Sequence, residues 1–84
     1  MQLDKHKLDE INLLLKYKME STQEGLKIHH TASSGMIDAA KRLFEKGLIS
    51  QNDGGYLTDP GIEAAEYANK LAHLISPRDE SNDA

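Results

Sequence analysis

The chain has 84 residues, no cysteine, a net charge of −4 and a hydrophobic fraction of 38%. This length fits one small domain, and the lack of cysteine excludes disulfides and thiolate metal sites. No apolar run approaches the roughly 20 residues of a membrane span and the first residues lack a signal-peptide pattern, so we expect a cytoplasmic protein without a membrane partner.

Charge is distributed unevenly along the chain. Residues 1–47 carry a net charge of +1, whereas residues 48–84 carry −5. A strongly basic nucleic-acid binder has a different overall balance. Three tyrosines and one phenylalanine are also too few for a base-stacking platform. Any contact with nucleic acid therefore depends on the lysines and arginines of residues 1–47.

Residues 4–20 predict a first helix with two apolar stripes. The stripe expected to face the core is formed by Leu8, Ile11, Leu15 and Met19. The other stripe, well around the cylinder, is formed by Leu3, Leu14 and Tyr17. This second stripe needs another cover, either the last helix or a second copy of the chain, unless a small domain simply leaves it exposed.

A short strand is predicted at residues 26–30, after Gly25. Leu26 and Ile28 alternate with polar residues, which is typical of a half-buried strand. Adjacent His29 and His30 then face opposite sides of the strand. We therefore expect these histidines to end the strand rather than to hold a metal ion together.

A second helix is predicted from Met36 to Lys46. The hydroxyl-bearing residues at 31–34 are potential N-caps, and Gly47 is a suitable residue to end the helix. Two short β-like runs follow at 48–51 and 56–58, separated by the turn-forming residues 52–55, and this pattern predicts a hairpin.

The last predicted helix starts near Asp59 and ends near Ile75. Thr58 or Asp59 can cap it, and Pro60 fits its first turn. Residues 77–84 are polar, and we expect a disordered tail after a single domain at 1–76. The predicted fold is α+β and mostly helical, in the order helix, strand, helix, β-hairpin, helix.

The middle of the chain resembles the recognition-helix and wing segment of MarR-like bacterial regulators. The resemblance covers roughly residues 40–67 and depends on a helix stop, a wing and a helix start. The corresponding residues are Lys46-Gly47-Leu48-Ile49, then Gly54-Gly55-Tyr56, then Leu57-Thr58-Asp59-Pro60-Gly61. The whole chain also resembles a small bacterial family of uncharacterised proteins for which a DNA-binding role has been suggested. These resemblances imply a reduced winged-helix-like fold and a role in transcription regulation.

The sequence departs from a full winged helix in two places. Residues 21–33 contain the predicted strand and no helical periodicity, so the first helix of a helix-turn-helix is missing. In addition, residues 47–69 contain no lysine or arginine, although a wing that contacts phosphates normally uses them.

Two functions follow as hypotheses, and neither involves catalysis or a cofactor. The first is DNA binding by a homodimer; its candidate contacts are Lys27, Ser33, Ser34, Lys41, Arg42 and Lys46. Lys41, Arg42 and Lys46 could equally form a solvated helix face. The alternative is a protein-interaction or dimerisation module without DNA binding. For either hypothesis, the candidate dimer interface is Leu3, Leu14, Tyr17, Leu71, Leu74 and Ile75.

Enzymatic activity is not expected. The four histidines are scattered, the serines at 33 and 34 are explained by helix capping, and the glycine pair at 54 and 55 is explained by the hairpin turn. The sequence therefore predicts no catalytic residue and no metal site.

Overall fold

A computed structural model describes residues 1–21 and 24–77. Within these residues it contains three helices and a three-stranded antiparallel sheet, and about half of the chain is helical. The predicted α+β class and the predicted order of elements are confirmed. The elements are α1 (Lys5–Leu14), β1 (Leu26–Lys27), α2 (Ser34–Glu45), β2 (Ile49–Gln51), β3 (Gly54–Leu57) and α3 (Asp59–Ile75).

The first helix is shorter than the sequence predicts. Asp4 caps α1 by accepting from the backbone N–H of Lys7 at 2.9 Å, but the helix ends at Leu14 instead of near residue 20. The N–H groups of Lys16 and Tyr17 donate to carbonyls three residues back, which tightens the chain into a turn. The turn brings the Tyr17 hydroxyl to the carbonyl of Gly55 in β3, to which it donates at 3.2 Å.

The second helix has both of the signals expected at its ends. Ser33 is the N-cap, and its hydroxyl accepts from the N–H of Met36 at 3.2 Å. At the other end Gly47 has a φ of 78°, and the N–H of Leu48 donates to the carbonyl of Leu43 at 3.0 Å. This is a Schellman arrangement, which satisfies the last carbonyls and turns the chain toward β2.

The sheet has the order β1-β3-β2, so β3 is central. The predicted hairpin is present, but its turn is shorter than expected, because Gly54 and Gly55 belong to β3 and only residues 52 and 53 connect the strands. Gly54 has a φ of 127°, and a Cβ there would overlap the carbonyl oxygen of Leu26. The close approach of β1 therefore requires glycine at this position. β1 itself is only two residues long, shorter than the predicted 26–30.

The third helix begins and ends where the sequence predicts. Thr58 caps α3 by accepting from the N–H of Gly61 at 3.1 Å, and its own hydroxyl donates to the carbonyl of Gly47 at 2.6 Å. A Cβ at Gly61 would overlap the carbonyl oxygen of Leu48. Thr58 and Gly61 thus hold the start of α3 against Gly47 and Leu48, the residues that follow α2. The Leu57–Gly61 motif therefore has a structural role in this fold.

The core lies where α1 and α3 meet α2 and the sheet. Its most fully buried large side chains are Leu13, Leu43 and Ile49, and small Ala39 and Ala65 allow close approach between the helices. The prediction for the stripes of α1 is corrected in part. Leu14 and Tyr17, for which the last helix or a second copy was the expected cover, are buried in the core of the single chain. Leu8, expected to be inside, is exposed. The other residues of the expected core stripe, Ile11, Leu15 and Met19, are partly buried against the core.

The predicted tail at 77–84 lies outside the described residues except for Pro77. No helix in residues 1–21 or 24–77 is both long enough and apolar enough to cross a membrane.

Candidate nucleic-acid interface

Two of the predicted DNA contacts, Arg42 and Lys46, are paired with a carboxylate of α1, and their side chains are 25% and 52% exposed. Glu10, which is only 7% exposed, accepts from Arg42 Nε at 2.7 Å and also from Lys46 Nζ. Arg42 additionally donates from Nη2 to the backbone carbonyl of His6 at 3.2 Å. We call Glu10, Arg42 and Lys46 the clamp, because they join α1 to α2.

The clamp carboxylate is held ionised by its partners. Burial of Glu10 opposes its charge, but the hydrogen bonds and positive charges of Lys46 and Arg42 outweigh burial, so the pKa of Glu10 lies below its usual value. A buried charge that loses its partners costs more free energy than the pair contributes. Arg42 and Lys46 are therefore poorly placed to leave Glu10 for a phosphate.

A different set of bases surrounds the segment between β1 and α2. Lys27, His30 and Lys41 line a cleft of about 300 Å³ whose other lining residues include Ile37 and Ala40. On the other side of the segment, Lys16 and Lys27 line a second cleft of about 480 Å³. We call Lys16, Lys27, His30 and Lys41 the basic rim.

One carboxylate lies within the basic rim. Asp53, in the hairpin turn, accepts from Lys27 Nζ at 2.9 Å, and this hydrogen bond holds the pKa of Asp53 below its usual value. Both partners are substantially exposed, and exposed pairs contribute only about 0–1 kcal/mol. Within residues 1–21 and 24–77, Lys16 and Lys41 take part in no ion pair. A phosphate could therefore approach the rim at a small electrostatic cost.

The two predicted serines lie on different sides of α2. Ser33 caps the helix and also lines the cleft that contains Lys16 and Lys27. Ser34 lines a separate cleft between α1 and α2, in which Asp9 and Asp38 lie. Lys27 thus lies beside Lys41 in one cleft and beside Ser33 in the other. Ser34, Arg42 and Lys46 lie on the α1 side.

Sequence reasoning missed Lys16, His30 and Glu10 as contributors to these sites. Lys16 was assigned to a helix that in fact ends before it, so its direction toward β1 was not predictable from periodicity. A signal for Glu10 was present, because it lies three and four residues before Leu13 and Leu14, on the buried arc of α1.

The predicted dimer surface is reduced to residues that remain exposed. Leu14 and Tyr17 are each only 5% exposed, so a second copy cannot cover them without unpacking the core. Leu3 is half exposed in the segment before α1. On α3 the large exposed apolar residues are Tyr67, Leu71, Leu74 and Ile75, which we call the α3 stripe.

The chain matches the model of a family of unknown function, DUF5669, over residues 1–76. Comparison with curated proteins and with solved structures finds no significant match. The resemblance to MarR-like regulators stays a prediction, because the family description states no function. Since the match covers most of the chain, this protein belongs to the DUF5669 family.

Proposed function

We propose that this chain is a non-catalytic, winged-helix-like module that binds DNA as a dimer. The topology supports the proposal: α2 leads directly into a hairpin whose second strand also pairs with β1. A helix followed by a β-ribbon is the arrangement from which a winged helix presents its contact surface. The missing first helix of the helix-turn-helix is replaced by residues 28–33, which form a turn and loop.

The observation that carries the proposal is the basic rim on both sides of residues 28–33. Three lysines from separate parts of the fold, Lys16, Lys27 and Lys41, border this segment. Phosphate contacts position a protein on DNA and need cations of this kind. The hairpin itself contributes no lysine or arginine, so we assign the contact to the basic rim.

The outward face of α2 shapes how this contact would occur. Asp38, Lys41 and Glu45 are exposed along α2, and its two carboxylates would repel phosphates if the helix faced the backbone directly. If DNA instead contacts the side of α2 that bears Lys41, next to Lys27 of β1, these carboxylates lie farther from the DNA backbone. We therefore expect weak, salt-sensitive binding with little base readout.

The test is a fluorescence-anisotropy titration of mixed genomic fragments with micromolar protein at several salt concentrations. Affinity should fall steeply above about 50 mM salt, and Lys16→Ala and Lys41→Ala should each reduce the salt slope by about one. Lys5→Ala is the matched control, since Lys5 is an exposed lysine on the α1 side. Absence of binding at low salt, or equal effects of Lys41→Ala and Lys5→Ala, would refute the proposed interface.

Arg42 provides a further discrimination between the rim and the clamp. Arg42→Ala should lower the free energy of unfolding, because it leaves Glu10 with one partner fewer, yet it should leave the salt slope of the folded protein unchanged. Lys41→Ala should reduce the salt slope and leave the free energy of unfolding unchanged. A lower salt slope for folded Arg42→Ala would move the DNA contact to the other side of α2.

A second candidate function is a dimerisation or protein-interaction module that does not bind DNA. The observation that favours it is the α3 stripe, whose large apolar side chains are between 51% and 76% exposed. Monomeric proteins rarely expose such residues in one contiguous patch. Self-association in sedimentation experiments together with no anisotropy change at any salt concentration would select this candidate.

A further inference from the structure

We infer that the α3 stripe is a two-fold interface in which α3 packs antiparallel against α3 of a second copy, with a register set by charge. This inference specifies the partner surface in the proposed dimer. It does not depend on DNA binding, and it is tested in the absence of DNA.

The stripe has the spacing of a helix-packing surface. Tyr67, Leu71, Leu74 and Ile75 follow i, i+4, i+7, i+8, which places them on one face of α3 within an arc of about 100°. Their exposed fractions are 63%, 51%, 76% and 74%. The core-facing arc of the helix, where Gly61, Ala65 and Ala68 are buried, adjoins the stripe on its Ile75 side. The exposed stripe is therefore a second apolar face, additional to the one that the fold already uses.

One edge of the stripe is charged and the other is lined by alanines. Glu63, Glu66, Lys70 and His73 follow the charged edge, with the carboxylates in the N-terminal half and the bases in the C-terminal half. The other edge is formed by Ala68 and Ala72, on the core side of α3, whereas Ala64 lies within the stripe, between the angular positions of Leu71 and Ile75. Tyr67 connects the stripe to its charged edge, because its hydroxyl donates to Glu63 at 3.1 Å.

This asymmetry selects an antiparallel pair over a parallel one. A two-fold axis perpendicular to two antiparallel helices brings the charged edge of each copy against the same edge of the other, in opposite directions. Acidic halves then meet basic halves. In a parallel pair the charged edge would instead face the alanine edge of the other copy, and the charges would have no partners.

The apolar and charged contacts agree on one register. Packing Tyr67 against Leu71 of the second copy places Ala64 at the axial level of Leu74 of the second copy, although these two residues lie toward different edges of the stripe. In this register Glu66 lies within about 3 Å, measured along the axis, of the level of Lys70 in the second copy, given a rise of 1.5 Å per residue. Glu63 and His73 of the second copy have the same offset, and the Glu66–Lys70 charge pair forms once on each side of the axis.

The size of the patch limits the strength of the dimer. Four such side chains and their charged edge expose a few hundred Å² per copy, which is less than the roughly 800 Å² per partner of a standard stable interface. We therefore expect a reversible dimer with a Kd in the micromolar range.

The first experiment is sedimentation equilibrium of the full chain without DNA, from about 1 to 500 μM. We expect a monomer–dimer equilibrium, and we expect Leu71→Asp and Leu74→Asp to raise Kd at least tenfold. Tyr56→Asp is the matched control, because Tyr56 lies on the hairpin with the same 51% exposure as Leu71. Circular dichroism checks that each variant folds. A monomer throughout the range, or a dimer unaffected by the folded Leu71→Asp and Leu74→Asp variants, would overturn the inference.

The second experiment tests the register with charge reversals that leave the core untouched. Glu66→Lys alone and Lys70→Glu alone each place like charges opposite one another, so each should weaken its own homodimer, by about tenfold. An equimolar mixture of the two variants restores opposite charges at both positions and should form a heterodimer at least as stable as the wild-type dimer. A mixture that associates no better than the separate variants would exclude the antiparallel register, whatever the outcome of the DNA titration.

Discussion

Arg42 and Glu10, 32 residues apart in the chain, are joined by a hydrogen bond of 2.7 Å between Nε and Oε2. Glu10 lies on the buried arc of α1, and Arg42 lies on the side of α2 that faces it. α1 packs chiefly against α2, and this pair with Lys46 adds a polar contact to the apolar one that the two helices make in the core. Arg42, which the sequence predicts as a DNA contact, thus contributes to the fold.

Removal of the clamp carboxylate should destabilise the protein. Glu10→Gln leaves Arg42 and Lys46 without their anion, and we expect the free energy of unfolding at pH 7 to fall by about 1–3 kcal/mol. Urea denaturation followed by circular dichroism measures the change. The control is Lys5→Ala, which removes an exposed pair with Asp9 and should cost less than about 0.5 kcal/mol. Equal effects of the two substitutions would contradict the structural role of the clamp.

The clamp also predicts how stability depends on pH. The folded pKa of Glu10 lies below its ordinary value of 4.5, so the folded state binds the proton less readily than the unfolded state does. The contribution of Glu10 is therefore present above pH 4.5 and is lost as the pH falls through the folded pKa. Urea midpoints between pH 3 and 7 should fall less steeply in Glu10→Gln than in the wild type. Parallel curves would show that Glu10 does not contribute to acid sensitivity.

Two glycines should differ sharply in their tolerance of alanine. Gly61→Ala places a Cβ against the carbonyl of Leu48, and we expect a loss of about 3 kcal/mol or more, because the backbone at Leu48 and the start of α3 must move apart. At Gly47 a Cβ meets no atom within 4 Å, so Gly47→Ala should cost only the strain of its positive φ, about 1–2 kcal/mol. Thermal unfolding of both variants compares the two costs. A milder effect at Gly61 would contradict the close approach of α3 to Leu48.

The buried tyrosine can be followed by its own titration. Burial raises the pKa of Tyr17 to about 12, so its hydroxyl remains a donor to Gly55 up to strongly alkaline pH. Its contribution to stability is complete below the unfolded pKa of 10 and is lost as the pH rises toward 12. Absorbance at alkaline pH should show a late-titrating phenol that is missing in Tyr17→Phe. The same substitution should lower the free energy of unfolding by about 1 kcal/mol, and a retained late component would assign that titration to another tyrosine.

Much of the fold could be predicted because its signals are local. The cap of α2, its stop at Gly47, the hairpin turn and the Thr58–Pro60 start of α3 each act within about four residues of one another. Of the six residues predicted as DNA contacts, Lys27 lies beside Lys41 in one cleft and beside Ser33 in another, and their contact with DNA stays a prediction. Their grouping follows from the short connection between β1 and α2.

The tertiary structure alone decided which side of α1 is buried, where that helix ends, and which bases remain available to a ligand. Each of these depends on partners more than 30 residues away: Gly55 for Tyr17, and Arg42 and Lys46 for Glu10. Periodicity identifies an apolar face but does not state what packs on it. A lysine or arginine is the same residue in the sequence whether its side chain lies on a solvated helix face or beside a buried carboxylate. Here the packing of α1 on α2 distinguishes the two environments.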